Sequence, residues 1–189
     1  MRPDREKLFH AIVFFVNETK HCHKLKLFKL LFFLDWEIFR QTGRSTTGLF
    51  YFAWPKGPVP KQLQDEFKAP PSDMRSVLSL RVAPADDPDA DSRLNITPRV
   101  DFDESRFTRR ELGVMKRMAE VYLEATGEMM TDVSHERGQP WDQIYRIEGR
   151  HQALIPFALA LDDERPGTVT REWTDEIALE ARAIAALFK

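Results

Sequence analysis

Residues 23–43 read HKLKLFKLLFFLDWEIFRQTG, and a helix formed by this segment carries large apolar side chains on nearly every side. Such a helix is buried in the middle of a bundle, because a surface helix keeps one polar face for water. Gly43 is a suitable residue to end it, since glycine readily adopts the left-handed conformation that follows many helices. The segment therefore predicts the central helix of a helical fold. Its apolar positions are Leu27, Phe28, Leu30, Leu31, Phe32, Leu34, Trp36, Ile38 and Phe39.

Other segments have the one-sided apolar spacing of helices that pack around such a core. The sequence TRRE at 108–111 is a capping box, which predicts a helix start at that point. Gly127 is expected to end the helix that follows, and Thr131 is expected to cap the next one. The expected helices span about 3–20, 61–67, 108–127, 131–138 and 174 onward, with a helical turn after 140.

Three segments have the short apolar runs or alternation that is typical of strands. GLFYFAW at 48–54 is rich in aromatic residues, and VLSLRV at 77–82 and LNITPRV at 94–100 flank the acidic loop APADDPDADS. The last two segments predict an acidic hairpin around 77–100. Together, the patterns predict an α+β fold that is predominantly α-helical, with a small antiparallel sheet of about three strands against the bundle.

The acidic loop does not fit a calcium-binding EF-hand. Asp87, Asp89 and Asp91 alternate as the first ligands of such a loop do, but its sixth and twelfth positions then hold Ser92 and Pro98. An EF-hand needs glycine at the sixth position and a carboxylate at the twelfth. We therefore interpret the loop as a solvated hairpin connection.

The composition indicates a globular chain rather than a membrane or disordered one. Its 189 residues are 42% apolar and 31% charged, which suits a single domain over residues 1–189. The uninterrupted apolar runs, such as that at 30–34, are far too short for a membrane span, and the first residues lack the pattern of a signal peptide. The single cysteine, Cys22, suits a reducing compartment. We expect a cytoplasmic protein without a metal or cofactor.

Two clusters of reactive side chains have simpler structural explanations. The HCH sequence at 21–23 lacks the second pair of ligands that a structural zinc site needs. Asp132, Ser134 and His135 are the residue types of a hydrolase triad, but neighbouring positions on one helix point about 100° apart and do not form a nucleophile–base pair. A hydrolase-type enzyme in which His135 works with a distant carboxylate stays open as an alternative.

Positive charge is concentrated in the first third of the chain. Residues 1–61 carry 11 Lys/Arg against 5 Asp/Glu, whereas the whole chain has a net charge of −2. A nucleic-acid-binding protein that uses this basic strip is a second alternative, although no recognition helix accompanies it. The strip is equally well explained as the solvent-facing side of the central helix. Its lysines are Lys20, Lys24, Lys26 and Lys29.

The segment AWPKGPVPKQLQDEF at 53–67 places three prolines around Gly57. Proline restricts its own φ angle and keeps the preceding residue extended, so this turn has little conformational freedom to lose on folding. Such a turn presents Trp54 and Lys56 in one pose. Trp54 is equally well explained as a core residue, whereas Lys56 and the turn backbone are candidates for a preorganised contact surface.

Three blocks of the sequence resemble the Panacea domain of SocA-like antitoxins and phage-associated proteins. Residues 26–45, KLFKLLFFLDWEIFRQTGRS, resemble its K-L-x-K-L-L-Y helix with a T-G-[RK] turn. Residues 53–67 resemble its A-W-x-x-G-P-V-x-x-x-L-x-x-E-F block, and TDVSHERGQPW at 131–141 resembles L-S-x-x-[ST]-H-x-x-x-P-W. Order and spacing agree over residues 5–148. Lys56 stands where the family usually has an aromatic residue, and Phe32 stands where it usually has tyrosine. The acidic hairpin and the tail 150–189 do not align with the family.

The resemblance implies a non-catalytic antitoxin that neutralises a cognate toxin by binding it. One mode described in the family is delivery of the toxin to an ATP-dependent protease. We therefore expect the proline-rich turn and the segment 131–141 to lie together as one partner-binding patch. The sequence indicates neither the toxin nor the oligomeric state. The expected partner-binding residues are Trp54, Lys56, Gly57, Pro58, Val59, Ser134, His135 and Trp141.

Overall fold

The computed structural model describes residues 5–82 and 94–162, and helices dominate this part of the chain. The predicted fold class, α+β and mainly helical, is confirmed. The acidic loop and the helix expected from Thr174 onward lie outside the described residues, and one domain over 1–189 stays a prediction. The helices are α1 (Arg5–Glu18), α2 (Lys24–Thr42), α3 (Lys61–Lys68), α4 (Ser72–Val77), α5 (Arg109–Val121), α6 (Gly127–Ser134) and α7 (Pro140–Asp142), followed by a π-helical turn (Gln143–Ile147), with 3₁₀ turns at Glu104–Arg106 and Phe157–Asp162.

The central helix predicted from its apolar circumference is confirmed as α2. Helices α1, α5 and α6 pack against it, and its apolar side chains, such as Phe28 and Leu31, are buried. Gly43 ends the helix with a left-handed φ of 69°, and its N–H donates to the carbonyl oxygen of Phe39 at 2.7 Å. That hydrogen bond satisfies one of the carbonyls left unpaired at a helix end.

Two lysines of α2 contradict the expected solvent-facing basic strip, because Lys26 and Lys29 are fully buried. The Nζ atom of Lys26 donates to the carbonyl oxygens of Lys20 at 2.6 Å and Tyr122 at 2.7 Å. Carbonyls at the end of a helix carry partial negative charge, which suits an ammonium group. Lys26 therefore connects the α1–α2 corner to the end of α5 from inside the protein.

The capping box predicted at residues 108–111 is confirmed. The Thr108 hydroxyl accepts from the N–H of Glu111, and the Glu111 carboxylate accepts from the N–H of Thr108 at 2.8 Å. The predicted end of this helix is wrong, since α5 ends at Val121 and not at Gly127.

Gly127 instead begins α6, and its place is explained by packing. A Cβ atom at this position would lie 3.3 Å from the Leu25 side chain, so glycine lets α6 approach α2 closely. Thr126 is the N-cap residue, and its hydroxyl accepts from the N–H of Met129 at 3.3 Å. The expectation that Thr131 caps the helix is wrong: Thr131 lies inside α6, and its hydroxyl donates to the Gly127 carbonyl at 2.9 Å.

The two threonines of α6 are expected to differ in their effect on stability. Thr126→Ala removes an N-cap and should lower the free energy of unfolding by about 1 kcal/mol. Thr131→Ala removes only a hydrogen bond from within the helix and should change that free energy by less than about 0.5 kcal/mol. Urea unfolding of both variants checks this difference, and equal effects would contradict the assigned helix start.

The strands form two separate antiparallel pairs rather than one sheet of about three strands. Strand β1 (Phe52–Trp54) pairs with β2 (Gly57–Val59), and β3 (Leu78–Arg81) pairs with β4 (Asn95–Pro98). The strand formed by the GLFYFAW segment, β1, pairs with the next strand along the chain, because the chain reverses at residues 55–56. The far edge of β1 is covered by residues 152–155 through three backbone hydrogen bonds of 2.7–2.8 Å.

A buried carboxylate holds the loop between α2 and β1. Asp35 is fully buried and accepts hydrogen bonds from the Thr47 N–H at 2.7 Å, from the Thr47 hydroxyl, and from the Tyr51 hydroxyl at 2.8 Å. Burial raises the pKa of Asp35 to about 6, and these donors act in the opposite direction. The loop is therefore tied to α2, and β1 starts from a defined position.

Candidate functional site

The proline-rich turn is exposed only at its tip. Pro55 and Lys56 are exposed and Trp54 is half-buried, whereas residues 57–60 are buried. Strand β2 lies directly against α2, which removes its side chains from solvent. Gly57, Pro58 and Val59 therefore do not belong to an exposed contact surface, contrary to expectation. Their role is to seat the turn on the bundle.

Gly57 is required by the closeness of three elements. Its φ angle of +97° is one that residues with a Cβ atom rarely adopt. A Cβ atom here would lie 2.6 Å from the Ser134 hydroxyl oxygen and 2.7 Å from Cε and Nζ of Lys29. The turn, α2 and α6 therefore meet at a point where only a hydrogen atom fits.

Lys29 fastens the turn to the central helix. Its Nζ atom donates to the carbonyl oxygen of Pro58 at 2.9 Å, inside the protein. Burial lowers the pKa of Lys29 to about 7, because the charged amine loses its hydration. The sequence pattern placed Lys29 at the surface; the structure makes it an internal link between α2 and β2.

The lowered pKa of Lys29 predicts a pH dependence of stability. Between about pH 7 and 10.5 the unfolded chain binds a proton at this amine that the folded chain does not, so stability rises with pH through this window. The slope approaches ~1.4 kcal/mol per pH unit for one proton. We expect urea unfolding at pH 7 and pH 9 to show this gain in the wild type relative to Lys29→Met. Equal pH responses of the two proteins would contradict the assignment.

Ser134 and His135 lie at the end of α6, beside the turn. The Ser134 hydroxyl is buried and donates to the Thr131 carbonyl at 2.8 Å, so it is not directed at His135. The imidazole of His135 stacks on the indole of Trp141, with 3.6 Å between ring centroids. Burial, followed by the positive charges of Lys29 and Arg146, lowers the pKa of His135 to about 4. A neutral imidazole packed in this way serves as a packing surface.

Trp141 joins the segment 131–141 to the end of β1. Its Nε1 atom donates to the carbonyl oxygen of Trp54 at 2.8 Å, and its side chain is buried. The stack continues outward through Tyr145 and His151, with centroid distances of 4.6 and 4.2 Å. The turn and the segment 131–141 are thus in contact, as the hypothesis of one patch requires. Ser134 and Trp141, however, are buried and support the turn from inside.

The exposed part of the site is a set of side chains that we call the aromatic face. Side chains alternate along a strand, and residues paired across strands share a face. Phe50 and Leu154 are 52% and 40% exposed, and Leu154 bridges to Phe52. The alternate residues Tyr51 and Ala53 are buried. The aromatic face consists of Phe50, Phe52, Trp54 and Leu154, with Lys56 at its end.

Phe50 and Leu154 were not among the residues expected at the site. The alternation within GLFYFAW contained the signal for Phe50, since 50, 52 and 54 fall on one side of a strand. Leu154 had no such signal, because its position is set by backbone pairing with β1 from a segment about 100 residues away.

The lysines of the basic strip do not form one surface. Lys20 is exposed and pairs with Glu124 at 2.6 Å, and Lys24 is half-buried. Lys26 and Lys29 are buried, as described above. Phosphate binding by a protein surface depends on exposed cations. The strip expected for a nucleic acid is therefore divided between the surface and the core.

The described residues contain neither a metal-ligand cluster nor a membrane-spanning helix. Within 5–82 and 94–162, no group of three or more His, Cys, Asp or Glu side chains could hold a metal ion. In the same ranges, none of the helices has both the length and the hydropathy needed to cross a bilayer.

Comparison with protein families gives a match to the SocA-like antitoxin, Panacea domain, over residues 27–142, which is more than half of the chain. The chain belongs to this family. Comparison with curated proteins and with solved structures gave no significant match. The matched residues of this Panacea domain run from α2 to α7 and include Lys29, Gly57, Ser134 and Trp141. Membership supports an antitoxin role and, in general, a toxin partner; Leu154 lies outside the match.

Proposed function

We propose that this Panacea-domain chain is an antitoxin that binds its cognate toxin directly through the aromatic face. The observation that carries the proposal is an exposed apolar surface on a turn that is fastened from inside. Contiguous exposed apolar side chains are typical of interaction sites. Phe50 and Leu154 are the apolar residues of this face with the largest exposed fractions, and Lys56 adds a positive charge at its end.

Preorganisation supports the proposal. The carbonyl oxygens of Trp54 and Pro58 each accept a hydrogen bond, from Trp141 and Lys29 respectively, on either side of the turn. A surface that is already ordered loses little conformational entropy when a partner binds, so more of the contact energy appears as affinity. The buried groups of the site therefore serve binding by holding the exposed ones.

We also propose that the chain acts without catalysing a reaction. This is supported by the antitoxin family and by the geometry at α6, where the Ser134 hydroxyl is buried on a backbone carbonyl and His135 is stacked on Trp141. The hydrolase alternative needs a nucleophile that a substrate can reach. Retained neutralisation by His135→Gln would support the proposal, and loss of neutralisation in a folded His135→Gln protein would favour the enzyme alternative.

Co-expression tests the proposed function. The product of the neighbouring open reading frame is induced in cells with and without this chain, and growth and the amount of the toxin are measured. We expect growth to be restored with the amount of toxin unchanged, because direct binding blocks the toxin without removing it. A fall in the toxin that depends on an ATP-dependent protease would assign delivery instead of inhibition. Absence of rescue, together with absence of a complex in a pull-down, contradicts the proposal.

A further inference from the structure

We propose that Gln152 is a specificity-determining residue of the toxin interface, where its side-chain amide pairs with a peptide group of the toxin beside the aromatic face. The proposal rests on the proposed function, because it names a polar contact at the same surface. Gln152 lies two residues before Leu154 and is exposed. Its φ of 59° is one that glutamine rarely adopts.

Gln152 occupies a β-bulge at the far edge of β1. Its N–H donates to the carbonyl oxygen of Ala53 at 2.7 Å, while the N–H of Ala53 donates to the carbonyl oxygen of Ala153 at 2.8 Å. Two consecutive residues therefore oppose one residue of β1 in an antiparallel pairing, which defines a bulge. The first of the two has the left-handed φ, and glycine is the usual residue at that position. Glutamine at 152 therefore strains the backbone.

No internal contact of the Gln152 side chain offsets this strain. Within residues 5–82 and 94–162, its amide makes no hydrogen bond, and the side chain is exposed. The other described non-glycine residue with a positive φ, His21, differs because it interacts electrostatically with the Glu124 carboxylate. Strained residues are concentrated at binding and catalytic sites, where their conformation serves function. The strain at Gln152 therefore indicates that its side chain has a partner outside the chain.

The turn that carries Gln152 is held in place from two directions. Beyond the bulge, the N–H of Ile155 donates to the carbonyl oxygen of Tyr51 at 2.8 Å, which continues the pairing with β1. The imidazole of His151 stacks on the ring of Tyr145, with 4.2 Å between centroids. The backbone at Gln152 is thus ordered before a partner binds, so binding has little backbone entropy to remove.

The chemistry of the side chain indicates which group of the toxin it contacts. A glutamine amide is uncharged and has both donors and an acceptor, so it can satisfy the N–H or the carbonyl of a peptide group. Pairing with a peptide group leaves no charge buried at the interface. A peptide group that loses contact with water beside the apolar aromatic face lowers affinity unless it finds a partner. Gln152 therefore selects toxins that present a peptide group at this position.

Two variants of the full chain separate the amide from the strain. Gln152→Gly removes the side chain and relieves the left-handed strain, whereas Gln152→Met keeps the strain and the side-chain length but removes the amide. We expect both to bind the product of the neighbouring open reading frame at least about fivefold more weakly than the wild type, measured by isothermal titration calorimetry. The urea midpoint of Gln152→Gly should equal or exceed that of the wild type, because glycine suits this φ.

His21→Gly is the matched control. His21 is exposed, has a φ of 54° and lies at the corner between α1 and α2, outside the aromatic face. Its replacement also relieves left-handed strain, and we expect its affinity for the same product to equal that of the wild type. A purely structural role of Gln152 would give the same result for Gln152→Gly as for His21→Gly.

Several results would overturn the assignment. Wild-type affinity in Gln152→Met means that the amide makes no contact, even if Gln152→Gly binds weakly. A urea midpoint of Gln152→Gly below that of the wild type means that residue 152 is not strained. If both Gln152 variants bind normally while replacement of Phe50, Lys56 and Leu154 with alanine abolishes binding, this inference fails and the proposed function stands. Absence of binding by the wild type contradicts both.

Discussion

Gly57→Ala is expected to lower the free energy of unfolding by about 3 kcal/mol or more. Two effects add at this position. The φ of +97° strains any residue with a Cβ atom, and that atom would lie 2.6–2.7 Å from the buried side chains of Ser134 and Lys29, whose hydrogen bonds to the carbonyls of Thr131 and Pro58 would be disturbed if they shifted to admit it. The measurement is urea unfolding of the wild type and the variant at pH 7.

Gly149→Ala is a matched control for the backbone effect alone. Gly149 also has a positive φ, +64°, but a Cβ atom there would meet nothing within 4 Å. Gly149→Ala should therefore lower the free energy of unfolding by only about 1 kcal/mol, the usual cost of placing a residue with a Cβ atom in the left-handed region. If Gly57→Ala costs no more than Gly149→Ala, the three elements do not meet as closely at residue 57 as described.

Replacing the three exposed residues of the aromatic face, Phe50, Lys56 and Leu154, with alanine should abolish neutralisation of the toxin. Central apolar contacts of an interface cost about 2 kcal/mol or more each when truncated, so the combined variant should bind the toxin at least about 100-fold more weakly. All three side chains are exposed, so the melting temperature should stay within about 4 °C of the wild type. Colony counts under toxin induction measure neutralisation.

Val82→Ala is the control for this prediction. Val82 is 70% exposed and lies after β3, outside the aromatic face. We expect full protection from this variant, because it removes a comparable apolar side chain elsewhere on the surface. Full protection by the triple variant of the aromatic face would show that the toxin binds at another surface.

The elements that local sequence determines were predicted well. The central helix follows from the apolar residues of the segment 23–43, and its end at Gly43 follows from backbone freedom. The start of α5 follows from the capping box at 108–111, in which both hydrogen bonds form within four residues. In each case the interactions that form the element lie within the segment itself, so the pattern contains them.

The two buried lysines show where prediction from the sequence ends. Lys26 and Lys29 lie three positions apart on a helix, and charge alone suggests a solvent-facing pair. Their partners are the backbone carbonyls of Tyr122 and Pro58. Every residue has a backbone carbonyl, so no sequence pattern identifies these two as lysine partners. Burial of these amines therefore depends on tertiary structure that brings the carbonyls to them.

Glycine is ambiguous from sequence for a similar reason. Gly127 and Gly43 are the same residue type at the edge of a helical pattern, yet Gly43 ends α2 with a left-handed φ and Gly127 begins α6 against Leu25. The difference lies in what each residue contacts. The site shows the same limit. The proximity of the turn and the segment 131–141 was expected from the sequence, but which of their residues are buried and which are exposed depends on the fold.

Photo-crosslinking tests most directly whether the toxin docks on the aromatic face. Lys56→p-benzoylphenylalanine places a crosslinker at the exposed tip of the turn, and the same replacement at Ser76, an exposed residue of α4 that is not part of the aromatic face, is the reference. In a mixture with the toxin, we predict a crosslinked complex from position 56 and none from position 76. No crosslink from position 56, in a protein that still protects cells, would contradict docking at this face.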